Sequence, residues 1–332
     1  MTASATRTRT PVPHRAATTL LTLGVPAAST TVAVVLALGW RSDLPDPIVT
    51  HWGPTGPDAV GPVGPHVLAH AVIVLAFGLF MWAIGFFGGR DALTRRIVAA
   101  VAAFFGVLLS GVLISNLAVQ RGLTYASEVG GADLGLGLGF GAAVVVAVLA
   151  AWVTPGDRPQ PTTEPVPADA PRLELAAGEQ VVWVRQAGQQ AALVIVALAA
   201  ALAAVAGVIT RTWGGPLVLG GALALLLLVM VRWTVVIDST GLTARSVLRR
   251  PTIHVPLDEV LLAEEVQVNP LREFGGWGLR RGLHGRTGIV LRSGSALQVR
   301  RTGDRVLVVT VDDATTGAAL LNALAERSRT DA

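Results

Sequence analysis

The chain reads as a multi-pass α-helical membrane protein of about six spans, followed by a C-terminal cytoplasmic α+β domain. Three observations lead there. Hydrophobic residues fill 52% of the 332 positions and charged residues only 14%, with a mean hydropathy of +0.59. Six windows, at 18–40, 67–88, 97–119, 135–153, 191–210 and 216–231, contain no Asp, Glu or Arg; each is close to the ~20 residues that a helix needs to cross ~30 Å of hydrocarbon. After the last window the pattern changes to alternation at period two, and then to a helical stripe.

The first four windows make one membrane unit over 17–153, behind an N-terminal tail of 1–16. Arg7, Arg9 and Arg15 precede the first span, Arg90, Arg95 and Arg96 fall between the second and third, and Arg158, Arg172 and Arg185 between the fourth and fifth. The alternate loops hold one each, Arg41, Arg121 and Arg211. Short loops rich in positive charge stay in the cytoplasm, so both termini are expected inside the cell membrane and the loop 41–66 outside. Arg before an apolar run suits a signal peptide, but the run continues through Leu38 without an A-x-A site, which favours an uncleaved anchor.

The loop 41–66 carries the most distinctive text, Leu44-Pro45-Asp46-Pro47-Ile48-Val49-Thr50-His51-Trp52, with Gly56 and Gly61 after it. Over 17–88 this resembles the domain of unknown function 1648, a membrane family found also at the N-terminus of the Sdp toxin immunity proteins. The resemblance implies a membrane domain, and Pro45, Pro47, Thr50, His51 and Trp52 become candidates for binding an envelope protein or peptide. The chain departs from the family by having Gly53-Pro54-Thr55-Gly56 where members continue with Asn.

Other readings of this region stay open. His66 and His70 are four apart, on one helical face, and with His51 or an Asp they are candidate metal ligands; no H-E-x-x-H accompanies them. The alternative is that prolines stiffen the loop while His51 and Trp52 sit at headgroup level. Ion-coupled carriers keep ionisable residues inside the bilayer, and here His70 is the one such group in the assigned spans. The fourth span opens with two interleaved GxxxG pairs, Gly135 with Gly139 and Gly137 with Gly141. About 100° per residue sets the pairs on nearly opposite faces, admitting two close helical neighbours.

Beyond the membrane unit, 154–172 has prolines at 155, 159, 161, 165, 167 and 171. It is expected to be an extended cytoplasmic linker, too polar and proline-broken to bury a core. The lead-in and a two-span hairpin occupy 173–232. In 233–332, strands are expected at 233–238, 242–247, 288–292, 296–301 and 305–311, with turns at Gly241, Gly294 and Gly303. Asp312 or Asp313 then caps a helix with Gly317, Leu320, Leu321 and Leu324 on one stripe.

The order of strands and helix, together with Phe274-Gly275-Gly276-Trp277-Gly278, Val309-Thr310-Val311-Asp312-Asp313-Ala314 and the lead-in Gly178-Glu179-Gln180-Val181-Val182-Trp183, resembles the pleckstrin-homology-like domains of bacterial membrane proteins. Over 171–332 this implies an antiparallel β-barrel closed by the C-terminal helix. The phosphoinositide-binding motif of eukaryotic members has no residue-by-residue match. Separately, Trp277 with Arg280, Arg281 and Arg286 mixes an aromatic with cations, a pattern suited to anionic lipid headgroups.

Cysteine is absent, which excludes disulfides and thiolate catalysis. The pI near 10.9 reflects a net charge of only +4 and does not indicate nucleic acid as a partner. No Walker loop, nucleophile elbow or kinase signature is present, and Glu264-Glu265 and the pair His254 and Asp258 lack a catalytic frame. The sequence therefore points to a non-enzymatic membrane protein, without a cofactor, acting in envelope-associated interaction, sensing or assembly. Immunity or signalling against a membrane-active peptide toxin is the first alternative; a transporter or metal-dependent membrane enzyme is the second.

Overall fold

The computed structural model describes residues 12–53, 56–130, 133–176, 178–188, 232–247, 249, 251–282 and 285–330, with scattered positions between 189 and 231. It divides into two compact units, Met1–Asp157 with Leu202–Ala222 and Arg158–Ala201 with Leu223–Ala332.

The first unit contains α1 (Arg15–Gly39), the strands β1 (Ile48–Gly53) and β2 (Gly56–Gly61), and the helices α2 (Val63–Gly88), α3 (Ala92–Ala118) and α4 (Asp133–Val153). All four helices are long and apolar enough to cross a membrane, and they coincide with the first four sequence windows. Large apolar side chains such as Leu20, Phe80 and Trp152 face outward, as helices do when their solvent is lipid. The expected spans at 191–210 and 216–231 lie for the most part outside the described residues.

Small residues set the contacts between these helices. Pro26 has no N–H and its ring crowds the carbonyl four residues back, and a wide turn over Leu20–Gly24 precedes it in α1. Pro26 then fits against two glycines. A Cβ on Gly106 of α3 would lie 2.9 Å from Pro26 Cα, and one on Gly78 of α2 would lie 3.4 Å from Pro26 Cβ. Between α3 and α4, a Cβ on Gly111 would come within 3.0 Å of Gly139 Cα, and one on Gly135 within 2.6 Å of Ser115 Oγ. The 135/139 face is thus used, whereas a Cβ on Gly141 meets nothing within 4 Å.

The sequence places Arg95 in the loop between the second and third spans, yet it lies inside α3 and is fully buried. Its guanidinium donates to the carbonyls of Gly89, Arg90, Pro155 and Gly156 and to Asp157 Oδ1 at 2.9–3.2 Å. The charge is therefore spent on tying the α2–α3 turn to the residues that follow α4.

The second unit holds two sheets and a helix. The four-stranded sheet runs in the order β3 (Trp183–Gly188), β4 (Arg232–Asp238), β5 (Gly241–Ser246), β6 (Thr252–Pro256). The five-stranded sheet orders β7 (Val260–Val268), β10 (Gly294–Arg301), β11 (Arg305–Thr310), β9 (Thr287–Val290), β8 (Gly278–Arg281). A short helix α5 (Pro270–Phe274) precedes β8, and α6 (Ala314–Thr330) ends the unit. Gly241 makes the expected reversal at φ 123°, and a Cβ there would lie 2.1 Å from Val255 O.

The expected antiparallel barrel is corrected on two counts. Among the described residues the strands form two open sheets and no closed barrel, because the chain turns a corner through Leu257–Glu259 and leaves β6 and β7 as edges of different sheets. The pairing of β9 with β11 is parallel, Val308 opposite Gly288. The helix is as expected: Gly317, Leu320, Leu321 and Leu324 are buried in a core shared with Trp233, Ile237, Leu297 and Leu307.

The stretch 154–172 is extended, but it is not a free tether. Val166 and Ala170 are buried in the same core. Three of its amides find acceptors in the sheets and the C-terminal helix: Gln160 N donates to Glu259 Oε1 (2.9 Å) and Val166 N to Glu326 Oε2 (3.0 Å), while Thr162 N donates to Asp258 O (2.8 Å). Prolines remove N–H groups, so few donors needed partners and two apolar side chains suffice to seat it.

Candidate functional site

The loop 41–66 folds as a β-hairpin whose two halves have different environments. β1 pairs with β2 antiparallel, Ile48 opposite Gly61 and Trp52 opposite Pro57, with register shifts around His51. Ile48 is fully buried against Ala33, Ala37, Leu113 and Leu117, with Leu44 and Trp40 beside it. Pro45 is buried, Pro47 is exposed and Thr50 is half-buried. The motif's apolar positions are therefore part of the helical core, which the reading of a stiff exposed loop did not anticipate.

Gln120, just beyond α3, holds the hairpin's base. Its Oε1 accepts from Val49 N at 2.6 Å and its Nε2 donates to Val49 O at 3.0 Å, as a neighbouring strand would. Nε2 also reaches Asn116 Oδ1 at 2.5 Å. Gln120 is fully buried, so these bonds satisfy backbone groups that would otherwise be costly to bury. The sequence signal for it is a polar pair at i, i+4, Asn116 and Gln120, closing an apolar window.

Beside this base, Asp43 organises the neighbouring turn. Arg121 Nη2 donates to Asp43 Oδ2 at 3.1 Å and its guanidinium lies 4.8 Å over the Trp40 ring. Gly122 N donates to Asp43 O at 2.7 Å. The open surface depression there, about 610 Å³ and lined by Ser42, Asp43 and Arg121, thus has its charges already paired.

The hairpin's outer half faces away. His51 Nδ1 lies 2.5 Å from Asp58 Oδ1, with side chains 69% and 48% exposed. Such an exposed pair contributes little stability; it fixes the orientation of an imidazole across the hairpin. Trp52 is half-buried next to it. His66 and His70 share α2, and His70 Nε2 sits 3.5 Å from Ser110 Oγ. Among the described residues no three His, Asp or Glu side chains gather as a metal-ligand group, so His51, His66 and His70 are not brought together.

In the sheet-rich unit the segment around Trp277 also divides. Phe274 is buried with Val268, Val290 and Val308, against Gly282 and Gly288, where a Cβ would approach its ring to 2.6 and 2.5 Å. Trp277 and Leu271 are 45% and 59% exposed, and Arg272, Arg280 and Arg281 are exposed beside them. Arg280 Nε donates to Trp277 O at 2.9 Å. Arg286 departs from its expected lipid-facing place: it donates to Glu273 Oε2 at 2.8 Å and lies 5.3 Å over Phe274. The Asn269 amide, opposed by partial burial, and then the Arg286 guanidinium hold the Glu273 carboxyl below the usual carboxylate range.

Glu264, Glu265 and His254 have partners within the sheet-rich unit. Glu264 accepts from Gln298 Nε2 at 2.8 Å, Glu265 accepts from the Thr315 hydroxyl, and the His254 ring sits 2.9 Å from Thr243 Oγ1. Trp183 and Asp313, singled out separately in the sequence, are joined: Trp183 Nε1 donates to Asp313 Oδ2 at 3.3 Å, and Arg185 reaches the same oxygen at 2.5 Å.

These features define a chain with four membrane-length apolar helices and a separate two-sheet unit closed over by a C-terminal helix. No family model, curated protein or solved structure matches it.

Proposed function

We propose that this chain is a six-span protein of the cell membrane that acts by binding and not by catalysis, with the hairpin tip outside as its recognition face and the sheet-rich unit in the cytoplasm. The observation that carries the reading is the division of the hairpin. Gln120 and Ile48 fix its base, while the His51–Asp58 pair stands at its rim beside Trp52. A rigid base under a polar and aromatic rim limits the entropy lost on binding. An envelope protein or peptide is the proposed partner.

The fifth and sixth spans gain support from β-pairing. Gly188 is opposite Arg232, so the chain leaves the sheet and returns to it at one place. The intervening segment of roughly 40 residues is long enough for two crossings and brings the chain back to the side it left. The Arg distribution supports cytoplasmic termini. Kinship with the domain of unknown function 1648 rests on the hairpin motif, and kinship with pleckstrin-homology-like domains on strands followed by a packed C-terminal helix; the open sheets and the parallel pair separate it from the barrel form.

A second binding role, to anionic lipid headgroups, is favoured by Leu271 and Trp277 standing exposed beside Arg272, Arg280 and Arg281. An aromatic and cations together suit a bilayer interface.

The recognition reading is tested by placing a photo-crosslinking residue at Trp52 in cells. A discrete crosslinked partner is expected, lost in His51→Ala and reduced in Gln120→Leu, which frees the hairpin base. Equal crosslinking by all three proteins, or none by the otherwise unaltered chain, would overturn it.

A further inference from the structure

A groove of about 240 Å³ lies between α1 and α2 where both helices meet the hairpin. Its lining is apolar apart from one side chain. Ala37, Gly64 and Ala71 leave the space, Leu38 and Leu68 wall it, and Arg41 closes one end. Leu38 and Leu68 are 63% and 65% exposed, and a Cβ on Gly64 meets nothing within 4 Å. From Val34 the groove follows the last turns of α1 and the turn beyond it to Arg41, roughly 10 Å at about 1.5 Å per residue.

We propose that this groove binds an anionic phospholipid, one acyl chain lying between α1 and α2 and the phosphate held by Arg41. The apolar length accepts the chain, and the single cation specifies the head. Among the described residues no carboxylate or carbonyl accepts from the Arg41 guanidinium, whereas the nearby Arg121 is held by Asp43 and Trp40. A guanidinium presents a planar fork that matches phosphate oxygens in pairs. Trp40, adjacent in sequence, is the residue type that marks the headgroup level. The proposal rests on the four membrane-length helices and not on the recognition role of the hairpin, so either can fail alone.

The test is native mass spectrometry of the full chain purified in detergent, with phosphatidylglycerol and phosphatidylcholine of identical acyl chains added in equal amounts. Phosphatidylglycerol is expected to be retained about fivefold over phosphatidylcholine, the preference one basic residue gives near an anionic head. Arg41→Gln should remove that preference and leave phosphatidylcholine retention unchanged. Gly64→Leu fills open space and should reduce retention of both lipids, with helix content by circular dichroism unaltered. Equal retention of the two lipids, a preference that survives Arg41→Gln, or a folded Gly64→Leu protein that holds both lipids as before would each overturn the proposal.

Discussion

In the helical unit the closest contacts are made by what is missing: Gly111 and Gly139 let α3 and α4 touch through their backbones, and Gly78 and Gly106 receive Pro26. In the sheet-rich unit they are made by size, with Trp233, Ile237, Leu242, Ile289, Leu297, Leu307, Leu320 and Leu321 all below 2% exposure. The difference follows from solvent. Lipid chains match leucine, so large side chains gain nothing by turning inward and helices associate through close approach. In water each large apolar side chain removed from solvent contributes ~1.5–3 kcal/mol. Ile48 and Leu117 are the informative exceptions in the helical unit, because they are buried where the hairpin covers the helices.

The largest expected effect breaks the size-based core. Trp183 is 5% exposed and its ring meets Gly317 of α6, where a Cβ would lie 3.0 Å from Trp183 Cζ2. Residues 158–332 alone, with Asn-Gly in place of 189–231, should give a soluble, folded sheet-rich unit, since Gly188 and Arg232 are already paired and Asn-Gly suits a tight hairpin. In that protein Trp183→Ala should lower stability by about 4 kcal/mol in urea titration. Loss of less than about 1 kcal/mol would mean that β3 is an accessory to the core.

Gly139→Leu addresses the other unit. A side chain there must displace Gly111, whose Cα would lie 3.3 Å from the new Cβ, and overpacking of this kind costs about 3 kcal/mol. Gly141→Leu, facing open space, should cost under ~0.5 kcal/mol. Thermal melts of the detergent-purified chain compare them directly. Equal losses would show that α3 and α4 are not held by backbone approach.

The same contrast explains what was legible in the sequence. Spans one to four announce themselves because continuous apolarity is a local signal, and β4, β5, β10 and β11 because Gly turns and period-two patterns are local too. Strand β3 is not legible as a strand, since its partner β4 lies beyond two apolar windows and only the fold brings Gly188 to Arg232. β7 mixes Leu and Glu without alternation, and β8 is four residues long, so neither offered a period. At the candidate site His51 and Asp58 are close in sequence, but a hairpin with a buried base requires Gln120, distant in sequence and ordinary in type. The prolines of 154–172 carry no information about Glu259, Asp258 and Glu326, which give that stretch a surface to lie on, or about the burial of Val166 and Ala170.

Glu259 supplies the smallest of the expected effects and probes how the sheet-rich unit holds its polar seam. It is 3% exposed and accepts from Gln160 N, from Arg305 at 3.0 Å and from Arg301. Burial pushes its carboxyl upward, but the Gln160 amide and the two guanidiniums outweigh burial and hold it below the ordinary 4.5. A depressed acid contributes its full stabilisation above the unfolded-state value and loses it as pH falls through the folded-state value. Asp313 is held low as well, first by the Thr316 hydroxyl, against the opposing push of burial, and then by Trp183 and Arg185. The soluble sheet-rich unit should therefore lose stability progressively below about pH 4.5. Glu259→Gln should lower stability by about 2 kcal/mol at neutral pH, the scale of hydrogen bonds to a charged group. The gap from the parent should close on acidification as Glu259 itself becomes neutral, while the part of the pH dependence due to Asp313 remains. A gap that stays constant to about pH 2 would assign the role of Glu259 to its shape instead of its charge.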